Sequence, residues 1–160
     1  MSPIGLIHAV VGVAFVAGLV GRWLVLAAAA RVDDLAGLRA LLRASEPFER
    51  IVILGSAATG ILGLATAIAQ GRPVLGPLQG AALDWVFVSV LLFLSILPLV
   101  PMVFLPRGRV FAGALADAEQ RGEYTDDLRR AFHDRVTRAA HVYELGAVTV
   151  ILILMFTKPF

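Results

Sequence analysis

A single arginine interrupts the long apolar segment near the start of the chain. Arg22 stands between GLVG and WLVLAAAA, so apolar or small residues surround it on both sides. If this segment crosses a membrane, a guanidinium near the centre of the helix costs about 3 kcal/mol unless a partner or the interface accommodates it. An ionisable group at such a depth is a candidate functional residue, and its partner has to come from another segment.

Glu144, in the last apolar segment, is the acidic residue best placed to pair with Arg22. A helix rises about 1.5 Å per residue, which puts Arg22 roughly 7 Å and Glu144 roughly 6 Å from the bilayer midplane, on the same side. Arg138, His141 and Glu144 recur at a spacing of three and share one stripe of a helix. The sequence therefore predicts a polar cluster of these four residues. It serves as a structural brace or as a functional pocket, and extension of Arg22 to the headgroups is a further alternative.

Three more polar residues lie toward the opposite side of the membrane: His8, Asp84 and Lys158. An Asp84–His8 or Asp84–Lys158 contact is compatible with their predicted depths. Water is the alternative partner for each, because all three lie close to the interface.

Histidine and methionine together can ligate haem, as in cytochromes c. His8 with Met155, or His141 with Met102, would lie at matching depths, and these four are the candidate haem or metal ligands. His8 and His141 lie roughly 20 Å apart along the bundle axis and do not form a pair. Packing is the alternative interpretation of each methionine.

Other catalytic patterns are absent from the sequence. It contains no Ser/His/Asp set, no phosphate-binding loop and no dinucleotide fingerprint. It also has no cysteine, which excludes disulfides and thiolate chemistry. These absences favour a protein that is not an enzyme, and nothing predicts a nucleic-acid partner.

The composition is that of an all-α polytopic membrane protein. Of the 160 residues, 59% are hydrophobic and only 16% are charged, against about 25% charged in soluble domains. A spanning helix needs roughly 20 apolar residues, and four segments meet this requirement. We expect one integral membrane domain, residues 1–160, folded as an antiparallel four-helix bundle in the lipid bilayer, with spans at about 4–30, 48–69, 83–105 and 139–156.

The loops differ in charge, and this difference predicts the topology. Loops 31–47 and 106–138 carry ten arginines, whereas the second loop has only Arg72 and the C-terminus only Lys158. The positive-inside rule therefore places both arginine-rich loops in the cytoplasm and both termini outside. The predicted location is the bacterial inner membrane.

Both cytoplasmic loops have amphipathic character. In the first, Asp33 or Asp34 can cap a short interfacial helix with an apolar stripe of leucines. In the second, Thr125 can cap a helix that meets no breaker before Pro159, so we expect one helix of about 30 residues.

The spans themselves carry two further signals. Pro98 and Pro101 can break the third span, as in transporters, although no matching discontinuity occurs elsewhere. The second span carries small residues four apart, namely Gly55, Thr59 and Gly63. Such residues let helices approach closely, either inside the bundle or at a homodimer or membrane-complex interface.

The segments LIHAVVGVAFVAGLVGR, TGILGLA and ILILMFTKPF resemble a bacterial domain-of-unknown-function family of small integral membrane proteins. The early histidine and the terminal Lys-Pro-Phe are its most specific features. The family is similar in architecture to copper-resistance protein D and to the small, haem-binding membrane protoporphyrinogen oxidase. The resemblance implies a role for His8, which matches an early histidine of those relatives. The oxidase also has a histidine and a lysine at its third span. This chain reads GAALDWVFVS there, with neither residue, and this departure argues against the oxidase activity.

The leading functional interpretation is a non-enzymatic accessory or assembly subunit that Arg22 and Glu144 brace internally. One alternative is a haem- or metal-linked redox protein that uses His8. A second alternative is a small-solute or ion transporter with the inner polar cluster as its pathway.

Overall fold

The computed structural model describes residues 2–159, and within this range the chain is helical without strands. Phe160, the last residue of the Lys-Pro-Phe tail, lies outside the described residues, as does Met1. The elements in order are α1 (Pro3–Ala29), α2 (Leu35–Ala69), a 3-10 turn (Gly76–Gln79), α3 (Trp85–Ile96), a π-helical turn (Val100–Phe104), α4 (Leu105–Arg121), α5 (Asp126–Phe132) and α6 (Arg135–Thr157). Four stretches are long and apolar enough to cross a membrane, which confirms the predicted fold class: Pro3–Ala29, Leu35–Ala69, Trp85–Arg121 and Asp126–Thr157.

The first amphipathic segment is not a separate interfacial helix, and that prediction is wrong. Asp34 caps it by accepting a hydrogen bond from the Gly37 backbone N–H at 2.7 Å, and the helix then continues through Pro47 to Ala69 as one 35-residue element. Pro47 removes one backbone hydrogen bond. Packing on both sides of this position keeps the helix continuous, because Leu38 and Val52 are both buried.

The single long helix expected after Thr125 is also interrupted. Thr125 caps α5 as expected, but the chain breaks at His133–Asp134 and α6 begins afresh at Arg135. The Asp134 carboxylate accepts from the backbone N–H and the hydroxyl of Thr137, both at 2.8 Å. This second cap supplies the start of a new helix where the sequence shows no glycine or proline.

The third span is distorted at its two prolines. The chain turns out of α3 at Leu97–Pro98 and passes through the π-helical turn before α4 begins at Leu105. Pro98 and Pro101 have no backbone N–H, so the regular α-helical ladder cannot pass through them. Beyond this turn, α4 continues to Arg121, well past the predicted end of the span.

Helix packing divides the described chain into two cores. The most extensive contact is between α1 and α2, followed by α3 with α6, and α1 meets α6 only over a short stretch. One core, inside the spans, contains Phe15, Leu19, Val52 and Val148. The other lies where the two arginine-rich loops meet, which we call the arginine-rich end; the opposite end, with Ser2 and Lys158, is the terminal end.

The core at the arginine-rich end joins four helices. Ala29, Leu38, Ala118 and Leu128, from α1, α2, α4 and α5, have no exposed surface. We call this unit, formed by α4, α5 and the first turns of α2 around the end of α1, the cap. The sequence predicted a short interfacial helix in the first loop and a long helix after Thr125, but not the core in which these segments pack against each other.

The small residues of the second span face α1. A Cβ added at Gly55 would lie 3.3 Å from the Cα of Phe15, so the two backbones are in close approach. Thr59 lies opposite Gly12, and Gly63 lies against His8. Of the two uses predicted for Gly55, Thr59 and Gly63, the structure shows packing inside the bundle, because α1 covers this stripe.

Candidate functional site

Arg22 and Glu144 form an ion pair inside the bundle. Nη2 of Arg22 donates to Oε2 of Glu144 at 2.5 Å, and the two side chains are 14% and 9% exposed. Because α1 and α6 otherwise contact each other sparsely, this pair is the main polar link between them. Each charge supplies the compensation that the other needs in a medium of low dielectric constant.

His141 lies one turn before Glu144 and stacks on Phe104. The two ring centroids are 4.8 Å apart with an interplanar angle of 22°. Phe104 is the last residue of the π-helical turn, so the distorted part of the third span is held against α6 beside the ion pair. Earlier in the third span, the hydroxyl of Ser95 on α3 is hydrogen-bonded to that of Tyr143 on α6 at 2.6 Å.

Arg138 lies apart from this cluster. It is exposed and makes no ion pair within residues 2–159. The intramembrane site therefore contains Arg22, Glu144 and His141, with Phe104 as an aromatic neighbour that the sequence did not indicate.

At the terminal end, Asp84 pairs with Arg72. Nη1 of Arg72 donates to Oδ2 of Asp84 at 3.1 Å, and the Arg72 guanidinium lies 5.1 Å from the ring centroid of Trp85. The possible contact of Asp84 with His8 or Lys158 is replaced by this pair, because the turn after α2 brings Arg72 close to the start of α3. Lys158 is exposed and ends α6 in a left-handed conformation with φ 44°.

His8 is buried between α1 and α2. Its side chain occupies the space beside Gly63, where an added Cβ would lie only 3.0 Å from the ring Cε1. Two buried side-chain atoms of the described residues lack a hydrogen-bond partner, namely Nδ1 of His8 and Oγ1 of Thr59. Because a Cβ at position 63 would crowd the ring, the glycine at this position is what leaves room for the His8 side chain.

The surroundings of His8 and of the His141–Met102 pair do not fit a haem. The His8 ring packs directly on α2, which leaves no gap for a flat macrocycle on that side. Met102 is 74% exposed, and Phe104 rather than Met102 stacks on His141. No group of three or more potential metal ligands of the His, Cys, Asp and Glu types occurs among residues 2–159.

The packing of His8 against Gly63 predicts a coupled pair of substitutions. Gly63→Ala should cost about 1–3 kcal/mol of unfolding free energy, because the new methyl group displaces the ring. In a His8→Ala background the same change should cost little, which thermal or detergent-induced unfolding measures. Gly146→Ala is the matched control, since nothing lies within 4 Å of its added Cβ. An equal cost of Gly63→Ala in both backgrounds would refute direct packing.

The cap carries the other concentration of polar groups. A cleft of about 660 Å³ lies between α4 and α5, and one of about 390 Å³ lies between α2 and α4. Ion pairs line both clefts, among them Arg107–Asp134, Arg130–Asp127 and Arg39–Glu119. The first cleft also exposes Val110, at 67%.

Tyr124 closes the cap beside α5. Burial raises the pKa of its phenol above the ordinary value, and the nearby charge of Arg129 opposes this shift. The Arg129 guanidinium lies 5.6 Å from the Tyr124 ring centroid and pairs with Asp33 at 3.6 Å. The leucine stripe of the first loop indicated an apolar face here, but not what would cover it.

Comparison with known proteins gives one family. No curated protein and no solved structure is detectably similar to the chain. A family model described as "Predicted integral membrane protein (DUF2269)" matches residues 3–159. This match covers all four spans and the cap. The chain therefore belongs to the DUF2269 family of integral membrane proteins.

Proposed function

We propose that this protein is a non-enzymatic accessory subunit of a membrane protein complex, and that its cap is the surface it offers to a partner. The observation that carries the proposal is the packing of the cap. Four residues from four helices are completely buried there, whereas the core residues of the spans, Phe15, Leu19, Val52 and Val148, are 3–6% exposed. A rigid, water-exposed unit on a membrane anchor suits binding and positioning of another protein.

The intramembrane polar groups support the same proposal. Arg22 and Glu144 satisfy each other in one half of the bundle, and His8 packs in the other half. Along α1, the apolar cluster of Phe15 and Leu19 with Val52 and Val148 lies between them. An apolar cluster at this level favours a brace over a solute pathway, which needs polar groups along its length.

The topology is part of the proposal. We place the arginine-rich end in the cytoplasm of a bacterial cell and both termini outside its inner membrane. The arginine distribution between the loops supports this orientation. The cap would then meet its partner on the cytoplasmic side, with the whole chain acting as one integral membrane unit.

Single cysteines test both parts, because the chain has none of its own. Val110→Cys lies at the cleft between α4 and α5, and Leu78→Cys, at a site 77% exposed, is the matched control at the terminal end. In intact spheroplasts, an impermeant maleimide should label Leu78→Cys and spare Val110→Cys. In opened membranes, a thiol-attached photo-crosslinker should give a discrete heteromeric product from Val110→Cys alone.

Two outcomes would contradict the proposal. Reversed labelling would overturn the orientation. Exclusively monomeric Val110→Cys after crosslinking in native membranes would overturn the accessory role of the cap.

A further inference from the structure

Five arginines at the arginine-rich end have no carboxylate within ion-pair distance among residues 2–159. All five side chains are exposed, and we call them the arginine belt: Arg31, Arg43, Arg109, Arg135 and Arg138. The other eight arginines each have an acidic partner in the structure. The belt thus collects the arginine charge that the fold leaves uncompensated.

The belt lies at the level where the spans leave the hydrocarbon. Each of its members is within about five residues of the end of an apolar segment, or roughly 8 Å at the rise of a helix. The headgroup layer of a bilayer is about 5–7 Å thick on each side. Arg31 and Arg138 directly adjoin the spans, whereas Arg43, Arg109 and Arg135 lie about one turn beyond them. All five guanidinium groups can therefore reach lipid headgroups.

Acidic residues without an ion-pair partner are distributed differently. Glu123 and Asp126 lie at the far tip of the cap, where α4 and α5 meet, roughly 25 Å beyond the start of α4. Asp34 uses its carboxylate to cap α2, and Glu49 accepts a hydrogen bond from the Ser45 hydroxyl at 3.5 Å. Neither hydrogen bond removes a negative charge, but the level of the belt sets five unpaired arginines against these two unpaired carboxylates and so keeps an excess of positive charge, which the tip of the cap does not.

We propose that the arginine belt binds the headgroups of anionic phospholipids. An arginine without a carboxylate partner has five N–H donors to offer, and its planar fork matches the oxygens of a phosphate. Basic residues beside a membrane are attracted to anionic lipids, by about fivefold in affinity for each arginine near the surface. The proposal is independent of any protein partner of the cap and concerns the lipid that surrounds it.

Lipid retention by the purified full-length protein tests this. The protein is incubated in neutral detergent with equal amounts of phosphatidylglycerol and phosphatidylcholine, and native mass spectrometry counts the lipids that remain bound. The wild type should prefer phosphatidylglycerol by about fivefold or more. The triple variant Arg109→Gln, Arg135→Gln, Arg138→Gln should lose most of this preference. The corresponding lysine triple, which keeps the charge but not the planar fork, should retain most of it.

The matched control removes the same number of charges from paired arginines of the cap, as Arg121→Gln, Arg129→Gln, Arg130→Gln, and should keep the preference. Sodium phosphate should displace no more phosphatidylglycerol than sodium chloride of equal ionic strength. The proposal is overturned if the belt triple retains the wild-type preference, if the control triple loses it equally, or if inorganic phosphate competes specifically. The lysine triple separates loss of charge from loss of folding.

Discussion

Arg22→Ala should lower the free energy of unfolding by about 3–5 kcal/mol, the largest effect we expect from a single substitution. The change leaves the Glu144 carboxylate, which is 9% exposed, without its partner inside the bundle. A buried charge that loses its partner is costly, or it takes up a proton. Reversible unfolding in mixed detergent micelles measures the loss.

The double variant Arg22→Ala, Glu144→Ala should be more stable than Arg22→Ala alone. Removal of both charges leaves a gap but no uncompensated ion, so the double-mutant cycle should give a large coupling energy. Arg50→Ala is the control: the Arg50–Glu46 pair is 3.8 Å long and exposed, and such pairs contribute about 0–1 kcal/mol. Additive losses for Arg22 and Glu144 would refute their direct pairing in the membrane.

Leu128→Ala should unfold the cap and leave the spans folded. Leu128 has no exposed surface, and truncation of such a leucine costs about 2–5 kcal/mol through lost burial and the cavity that remains. The core of the spans shares no residue with the core of the cap, so the damage should stay local. Limited trypsin digestion should become fast at Arg121, Arg129 and Arg130, while hydrogen exchange in α1 stays slow.

Val110→Ala provides the comparison for Leu128→Ala, since it also truncates an aliphatic side chain of the cap but at a site 67% exposed. It should change stability by no more than about 0.5 kcal/mol. If Leu128→Ala accelerates exchange in α1 as much as in α5, the cap and the spans form one cooperative unit and the prediction is wrong.

The spans could be predicted from the sequence because the bilayer imposes a length and an apolar composition on each of them. The same reasoning gave comparable depths for Arg22 and Glu144, which lie in contact in the structure. Counting residues along a straight helix gives the depth of a side chain but not the direction in which it points around the helix axis. For this reason the predicted stripe included Arg138, which is exposed, together with Glu144, which is buried.

Features that depend on nonlocal contacts or on the exact local backbone geometry were not predicted from the sequence. An apolar stripe on α2 predicts burial of Leu38 but not its neighbours, which come from α4 and α5 far along the chain. Nothing in the sequence distinguishes Asp134 from the other acidic residues. Its role as a helix cap depends on the backbone conformation that brings the Thr137 N–H to its carboxylate. Asp84 pairs with Arg72 because of the turn between them, whose shape the sequence alone does not specify.

The unbroken course of α2 has a mechanical consequence. At about 1.5 Å per residue, its 35 residues form a rod roughly 52 Å long that begins in the cap and ends beside the Arg72–Asp84 pair. Pro47, just before the predicted second span, has no backbone N–H, yet the helix runs through it without a break. A displacement of the cap would therefore be passed along this helix to the loop that contains the Arg72–Asp84 pair.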